Sequence, residues 1–174
     1  TPRTVTVVNS TFVNNGVVRS PYYGAAIYNR VQNLVVTNSI FWNNGQPGMY
    51  GGNYALYSES GTATITYSDV EGGPGSGVVG ANNITVPPYV VGAWGFPYRL
   101  LADSPCVDTG SNAAVPAGVI ADWEGQPRVF AYLDRGAPLV DMGWDEYYDG
   151  ELSLDFPNKD TVWLNDGAAK QIPW

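Results

Sequence analysis

Histidine is absent from this 174-residue chain, and cysteine occurs once, at Cys106. Without histidine, no side chain has an ordinary pKa suited to proton transfer at neutral pH, and Cys106 has no imidazole to activate it as a nucleophile. A lone cysteine cannot close an internal disulfide, so it reads as a small buried apolar residue. Charged residues make up only 14% of the chain, and no Asp or Glu occurs before Glu59. A net charge of −8 without a basic cluster argues against nucleic-acid binding. No stretch approaches the ~20 consecutive apolar residues of a membrane span. Nor does any long stretch place apolar residues three and four apart, as an amphipathic helix requires.

What the chain does contain is a repeat. The octet from Val5 to Phe12 recurs from Leu34 to Phe41 and again, decayed, from Ala63 to Val70. Each copy is displaced by 29 residues, so that Ser10, Ser39 and Ser68 coincide. The Asn-Asn-Gly endings at Asn14 to Gly16 and Asn43 to Gly45 keep the offset, as do Ala26-Ile27-Tyr28 and Ala55-Leu56-Tyr57. A fixed period of roughly 20–50 residues is the mark of a stacked repeat architecture. Inside the period, Val5, Val7, Leu34, Val36, Ala63 and Ile65 share one parity, and Thr6, Val8, Val35, Thr37, Thr64 and Thr66 the other. That alternation, in β-branched residues, belongs to strands.

The expected fold is therefore all-β: a right-handed parallel β-helix of about three coils of 29 residues, with an irregular C-terminal cap and a strand-forming tail. Handedness follows from the general preference of parallel crossovers. The expected divisions are coils over 1–92, a capping module over 93–147 and an acidic tail over 148–174. Ile27 over Leu56, and Phe12 over Phe41 over Val70, are the predicted core ladders. The Asn pairs supply corners that tolerate positive φ; they either serve as turn residues alone or also build an amide ladder. Gly72 to Gly80 lacks the Lys-Ser/Thr of a phosphate loop and reads as a flexible excursion.

The later motifs are more specific. Tyr67-Ser-Asp-Val-Glu-Gly-Gly is similar to the last coil of a large family of secreted bacterial β-helix proteins. The runs from Tyr98 to Gly110, from Asp122 to Arg128 and from Asp141 to Tyr147 resemble that family's C-terminal module, of the choice-of-anchor Q type, in the family's order. The resemblance implies a secreted β-helix and no particular reaction. Independently, an open solenoid end needs a cap, and Ser-Pro, Asp-Thr-Gly and Glu-Gly-Gln-Pro are turn chemistry. Asp108, Asp122 and Asp141 are placed to accept backbone N–H groups, with Arg128 the natural partner of one of them. A sharper alternative makes Asp108, Asp122, Asp141 and Glu146 calcium ligands, although the spacing is not that of a dedicated calcium loop. No other cofactor is expected.

Catalysis is not expected. A glycosidase needs two carboxylates across the sugar, and Asp69 and Glu71 are the one acidic pair on a coil. Tyr22, Tyr23, Tyr28, Trp42, Tyr50, Tyr54 and Tyr57 would form a sugar-stacking strip if several face outward; alternatively Tyr28 and Tyr57 stack on each other. Asn9-Ser-Thr and Asn83-Ile-Thr match the glycosylation pattern, as chance allows in so Asn- and Thr-rich a chain.

The two ends complete the reading. Thr1, in place of Met, suggests a processed or excised product, and Pro2 and Arg3 lead straight into a strand. Residues 1–58 carry a net +3, while residues 145–174 hold seven carboxylates and two lysines. Leu152, Leu154, Phe156, Val162 and Trp163 give the tail an apolar strand face. Together with Val5, Val7 and Phe12 they are the expected subunit contacts, the tail of one copy covering the first coil of the next, or else folding back along its own helix as an extra edge strand. A heterologous contact of that kind extends into a filament. The other occupant of that end is a preceding β-helix segment. The expected protein is a secreted structural or adhesive β-helix of a bacterial or archaeal surface. The rival expectation is a carbohydrate-binding or polysaccharide-degrading module.

Overall fold

The computed structural model describes residues 3–16, 24–30, 33–45, 55–91, 98–130 and 136–148, and the backbone of 161–163 and 169–171. Among them the chain is nearly all β, with a single 3-10 turn at Asn112–Ala114. The strands fall where the sequence alternates: β1 (Thr4–Val8), β2 (Thr11–Val13), β3 (Ile27–Asn29), β4 (Asn33–Thr37), β5 (Ile40–Trp42), β6 (Leu56–Ser58), β7 (Ala63–Thr66), β8 (Asp69–Val70) and β9 (Val78–Ala81). They form three parallel sheets, in the orders β1-β4-β7-β9, β2-β5-β8 and β3-β6.

Pairing follows the repeat. Val5 lies against Leu34 and Leu34 against Ala63; Phe12 lies against Phe41 and Phe41 against Val70; Ile27 lies against Leu56. The inward residues of all three sheets meet in one core containing Leu34, Val36, Phe41, Leu56, Ile65 and Val70. Phe12 and Phe41 stack with ring centroids 4.7 Å apart and planes 7° from parallel. Both predicted ladders are thus present.

Between the first two sheets the chain turns at one residue with positive φ: Asn9 (48°), Asn38 (51°) and Tyr67 (48°). The serine that follows closes the corner. Its hydroxyl donates to the carbonyl two residues back, at 2.9 Å in Ser10, Ser39 and Ser68 alike. The same oxygen then accepts the backbone N–H of the serine one repeat earlier, Ser10 to Ser39 at 3.3 Å and Ser39 to Ser68 at 3.1 Å. At the next corner, Asn14 and Asn43 share positive φ and join through their amides, and Asn15 donates to Asn44 at 2.8 Å. These asparagines are turn residues and an amide ladder at once.

The stack continues one rung beyond the three expected. After the Gly-rich segment β9 pairs with β7, Ala63 against Val78, an offset of 15 residues rather than 29. Asn82 takes the corner at φ 55°, and the Asn83 amide replaces serine, accepting the Ser68 N–H at 3.0 Å. Ile84 bridges to Asp69. Gly72 to Gly80 is therefore not a free excursion. It closes a shortened repeat, with the Ser76 carbonyl accepting the Ser58 N–H at 3.2 Å.

The C-terminal module departs from the expected end cap. It contains β10 (Val90–Val91) and β11 (Arg99–Leu100), paired antiparallel, and lies along the outward side of the β2-β5-β8 sheet. Ile40 packs there with Leu100, Cys106, Val107 and Met142 in a second core. The module reaches every repeat. Cys106 meets Asp69 in the third, Ser111 meets Asn38 in the second, and the Trp144 N–H donates to Thr11 Oγ1 in the first, at 3.1 Å. Gly143 permits the closest approach, since a Cβ there would stand 2.8 Å from Ile40 Cδ1. The outer face of β5 carries Ile40 and a half-buried Trp42, so this side is apolar and needs a cover. Strands β12 (Thr161–Trp163) and β13 (Ala169–Gln171) pair with each other, antiparallel.

Asn38 is the firmest of these attachments. Its Nδ2 donates to the Ser111 carbonyl at 3.0 Å, its Oδ1 accepts the Ser111 N–H at 2.8 Å, and its own carbonyl accepts the Gly143 N–H at 2.9 Å. Asn9, its equivalent one repeat earlier, has a buried amide with no hydrogen-bond partner. The pair therefore gives a controlled comparison. Glycine keeps the positive-φ corner at either site. Asn38→Gly is expected to cost about 2–4 kcal/mol, through two lost hydrogen bonds that leave the half-buried Ser111 N–H without its acceptor, whereas Asn9→Gly is expected to lie within about 1 kcal/mol of neutral. Urea denaturation of both variants measures this; equal losses would contradict the clamp.

Candidate functional site: the open edge of the first repeat

Among the described residues β1 pairs only with β4, β2 only with β5 and β3 only with β6. The first repeat thus presents a row of strand edges. Alternate residues of a strand turn their N–H and C=O groups to opposite neighbours. The Arg3 carbonyl accepts the Asn33 N–H and the Asn9 N–H donates to the Thr37 carbonyl, so this parity faces β4. Thr4, Thr6 and Val8 consequently turn theirs to the open side. Val5 is 45% exposed, and Val7 and Phe12 are half-buried against the core. These three expected contact residues do sit together at the edge. Val162 and Trp163 lie in β12, already paired to β13; Leu152, Leu154 and Phe156 lie outside the described residues.

The candidate calcium ligands gather in the module, but the carboxylates of Asp122, Asp141 and Glu146 are committed to the protein's own donors. Asp141 accepts the Asp108 N–H at 2.7 Å through Oδ1 and the Tyr147 N–H at 2.6 Å through Oδ2. Asp122 accepts from Glu124 and Gln126 through Oδ1 and from Glu146 through Oδ2, at 2.8, 2.9 and 3.1 Å. Glu146 accepts the Asp141 N–H at 3.0 Å and pairs with Arg128 NH1 at 2.9 Å. Asp108 enters this network through its backbone. The expected partners of Arg128 were the aspartates; the pair it makes is with Glu146, while its NH1 and NH2 also reach the Gly143 and Trp144 carbonyls. A second pair, Arg99 to Glu124 at 2.9 Å, ties β11 to the Asp122 turn. Burial pushes Asp141 up to about 7 and Asp145 to about 6, and it raises Glu146 against the pull of Arg128. Among the described residues no group of three or more acidic or cysteine side chains is arranged to hold a metal. The carboxylates work as acceptors that give an irregular backbone its hydrogen bonds.

The acidic pair of the third repeat divides. Glu71 is exposed and accepts the Asn43 N–H at 2.6 Å. Asp69 is fully buried between Ile40 and Ile84, with Cys106 Sγ 3.5 Å from its Oδ2 and no partner for Oδ1. Cys106 is itself buried, and desolvation pushes its thiol upward, which suits a packing residue and opposes thiolate chemistry. Sequence alternation places Asp69 on the outward face, but that this face is covered shows only when the module docks there.

The aromatic strip is not assembled among the described residues. Trp42 is half-buried against the second core, and Tyr28 and Tyr57 stack on each other at 5.4 Å, with Tyr28 donating to Glu59 at 2.7 Å. Tyr22, Tyr23, Tyr50 and Tyr54 lie outside the described residues. An exposed Trp123 does meet a half-buried Trp144, with ring centroids 5.8 Å apart, but this pair belongs to the module. Both glycosylation matches are structurally engaged: Asn9 is buried at a corner, and Asn83 Nδ2 donates to the Ile65 carbonyl at 2.9 Å.

Asp69 gives the fold a pH dependence of definite sign. Burial raises it from 3.8 to about 7, so the folded state holds a proton that the unfolded chain releases between those values. The contribution of Asp69 to stability therefore falls as pH rises from about 4 to about 7 and levels off above. Asp69→Val removes the titrating group and continues the Ile40 and Ile84 ladder. Its effect is expected to be more favourable at about pH 8 than at about pH 5, by about 2–3 kcal/mol. Denaturation at the two pH values checks this, and the same effect at both would contradict it. No family model, curated protein or solved structure matches the chain.

Proposed function

We propose that this chain is a right-handed parallel β-helix with a lateral module of the choice-of-anchor Q type, acting as a non-catalytic structural or adhesive element outside the cell. In this reading it joins end to end through the first repeat. The observation that carries the proposal is the row of strand edges at β1, β2 and β3 that are unpaired among the described residues, in a stack whose other neighbours pair in register. Such an edge is a template for a further strand, and stable proteins blunt it or use it. Here the Thr4–Val8 edge carries no carboxylate or proline and leaves Val5 exposed, which supports this reading.

Support for a structural role also comes from the fate of the reactive groups. Asp69 and Cys106 are buried, and Asp122, Asp141 and Glu146 spend their oxygens on backbone donors. Among the described residues, no helix is long and apolar enough to cross a membrane.

Sedimentation velocity over a concentration series, with negative-stain electron microscopy of the same samples, tests the proposal. The expected result is concentration-dependent growth beyond the monomer, seen as linear chains of particles. Monodisperse monomers at every concentration and ionic strength would overturn it.

A further inference from the structure

The partner for the open edge is present in the molecule itself, at the other end of the stack. We propose that the shortened fourth repeat of one copy seats on the first repeat of the next, in the same register that joins repeats within one chain. This rests on the end-to-end reading above and names its contact. The tail strands are weaker candidates, because β9 continues the parallel register of β1, β4 and β7, whereas β12 and β13 form an antiparallel pair of their own.

The register follows by continuing each column of the sheet. Val5, Leu34, Ala63 and Val78 form one column, and Thr6, Val35, Thr64 and Val79 the next. Continuing them sets Val78 of one copy on Val5 of the next, Val79 on Thr6, and Ala81 on Val8. Side-chain parity is kept: Thr6 is exposed and Val79 is 71% exposed, so both stay on the outer face while the backbones join. The inward positions of the fourth rung are Val78, packed against the core, and Gly80. A Cβ on Gly80 would lie 2.7 Å from both Pro74 Cγ and Asn83 Nδ2, so the Pro74 ring and the Asn83 amide stand where an inward side chain would. They offer Val7 of the next copy a filled surface in place of an open core.

The corner ladder continues in the same phase. Within the chain, the corner N–H donates to a carbonyl of the following repeat, Asn9 to Thr37, Asn38 to Thr66 and Tyr67 to Ala81. The next serine N–H donates to the following serine oxygen. At the fourth rung the N–H groups of Asn82 and Asn83 come to these two positions, and at the first rung the Val8 carbonyl and Ser10 Oγ are the matching acceptors. The ends thus present donors and acceptors in complementary order. A head-to-tail contact of this kind cannot close on two copies and propagates along the stack.

The test is a pair of single substitutions in the full chain, Thr6→Cys and Val79→Cys, both at exposed positions. Adjacent strands lie about 4.8 Å apart, within the Cα separation of about 4.4–6.8 Å that a disulfide accepts. Under mild oxidant, a mixture of the two variants is expected to give a disulfide-linked dimer that neither variant gives alone, the native Cys106 being buried. Replacing Val79→Cys by Ala81→Cys, two residues out of register, is expected to slow linkage by about tenfold or more. Sedimentation of the unsubstituted chain is run alongside. If that chain assembles but the mixture does not link, or Thr6→Cys links to itself, the fourth-on-first contact is wrong while end-to-end association stands. If the unsubstituted chain stays monomeric, association itself fails, and this contact with it.

Discussion

Everything in this molecule hangs on a corner. Once per repeat the chain leaves one sheet and enters the next through a single residue of positive φ, and the residue after it hydrogen-bonds both to its own backbone and to the repeat before. The arrangement allows no drift. A one-residue slip would bring a β-branched residue into the left-handed region, at a cost of about 1–2 kcal/mol, and would turn every inward side chain outward. Tyr67 shows how strongly the position is held. An aromatic residue takes φ 48° in the third repeat because the strands on either side leave it no alternative.

The corner also organises the rest of the chain. By fixing register it stacks Phe12 on Phe41 on Val70 and brings three narrow sheets round one core. It aims Asn38 outward, where its amide grips the Ser111 peptide as another strand would. The module then runs across all the repeats like a strap, and its irregular backbone is held by Asp122, Asp141 and Glu146 in place of a regular ladder. Its docking encloses Asp69, whose raised pKa makes that group's contribution to stability larger in mild acid than in base.

How much of this is legible in the sequence depends on whether a feature repeats. The 29-residue offset predicts strand pairing and both core ladders, because equivalent residues must sit on one another. The fourth rung is harder to see, since the interval shortens to 15 residues. Yet Val-Val-Gly-Ala-Asn-Asn-Ile, from Val78 to Ile84, matches Leu34 to Ile40 position by position, with Asn82 at the corner. The signal was in the pattern and absent from the period. The module has no period at all. That it lies along the side of the repeats, that Arg128 chooses Glu146, and that Asp69 is enclosed are all set by long-range contacts that local spacing does not encode.

The proposed end-to-end association rests on the edges left unpaired, among the described residues, at the first and fourth rungs. A stack joined by identical steps has two faces that fit each other unless something interrupts the step, and here the first and fourth rungs keep the phase of those between them. The claim beneath this is that the serine corner locks the repeats in register, and native-state hydrogen exchange tests it directly. The Ser39 and Ser68 amides, which donate to Ser68 Oγ and Asn83 Oδ1, are expected to exchange as slowly as the inward strand amides, only through global unfolding. Exchange of these two amides as fast as those of the exposed turns at Gly118 and Gly125 would contradict the account.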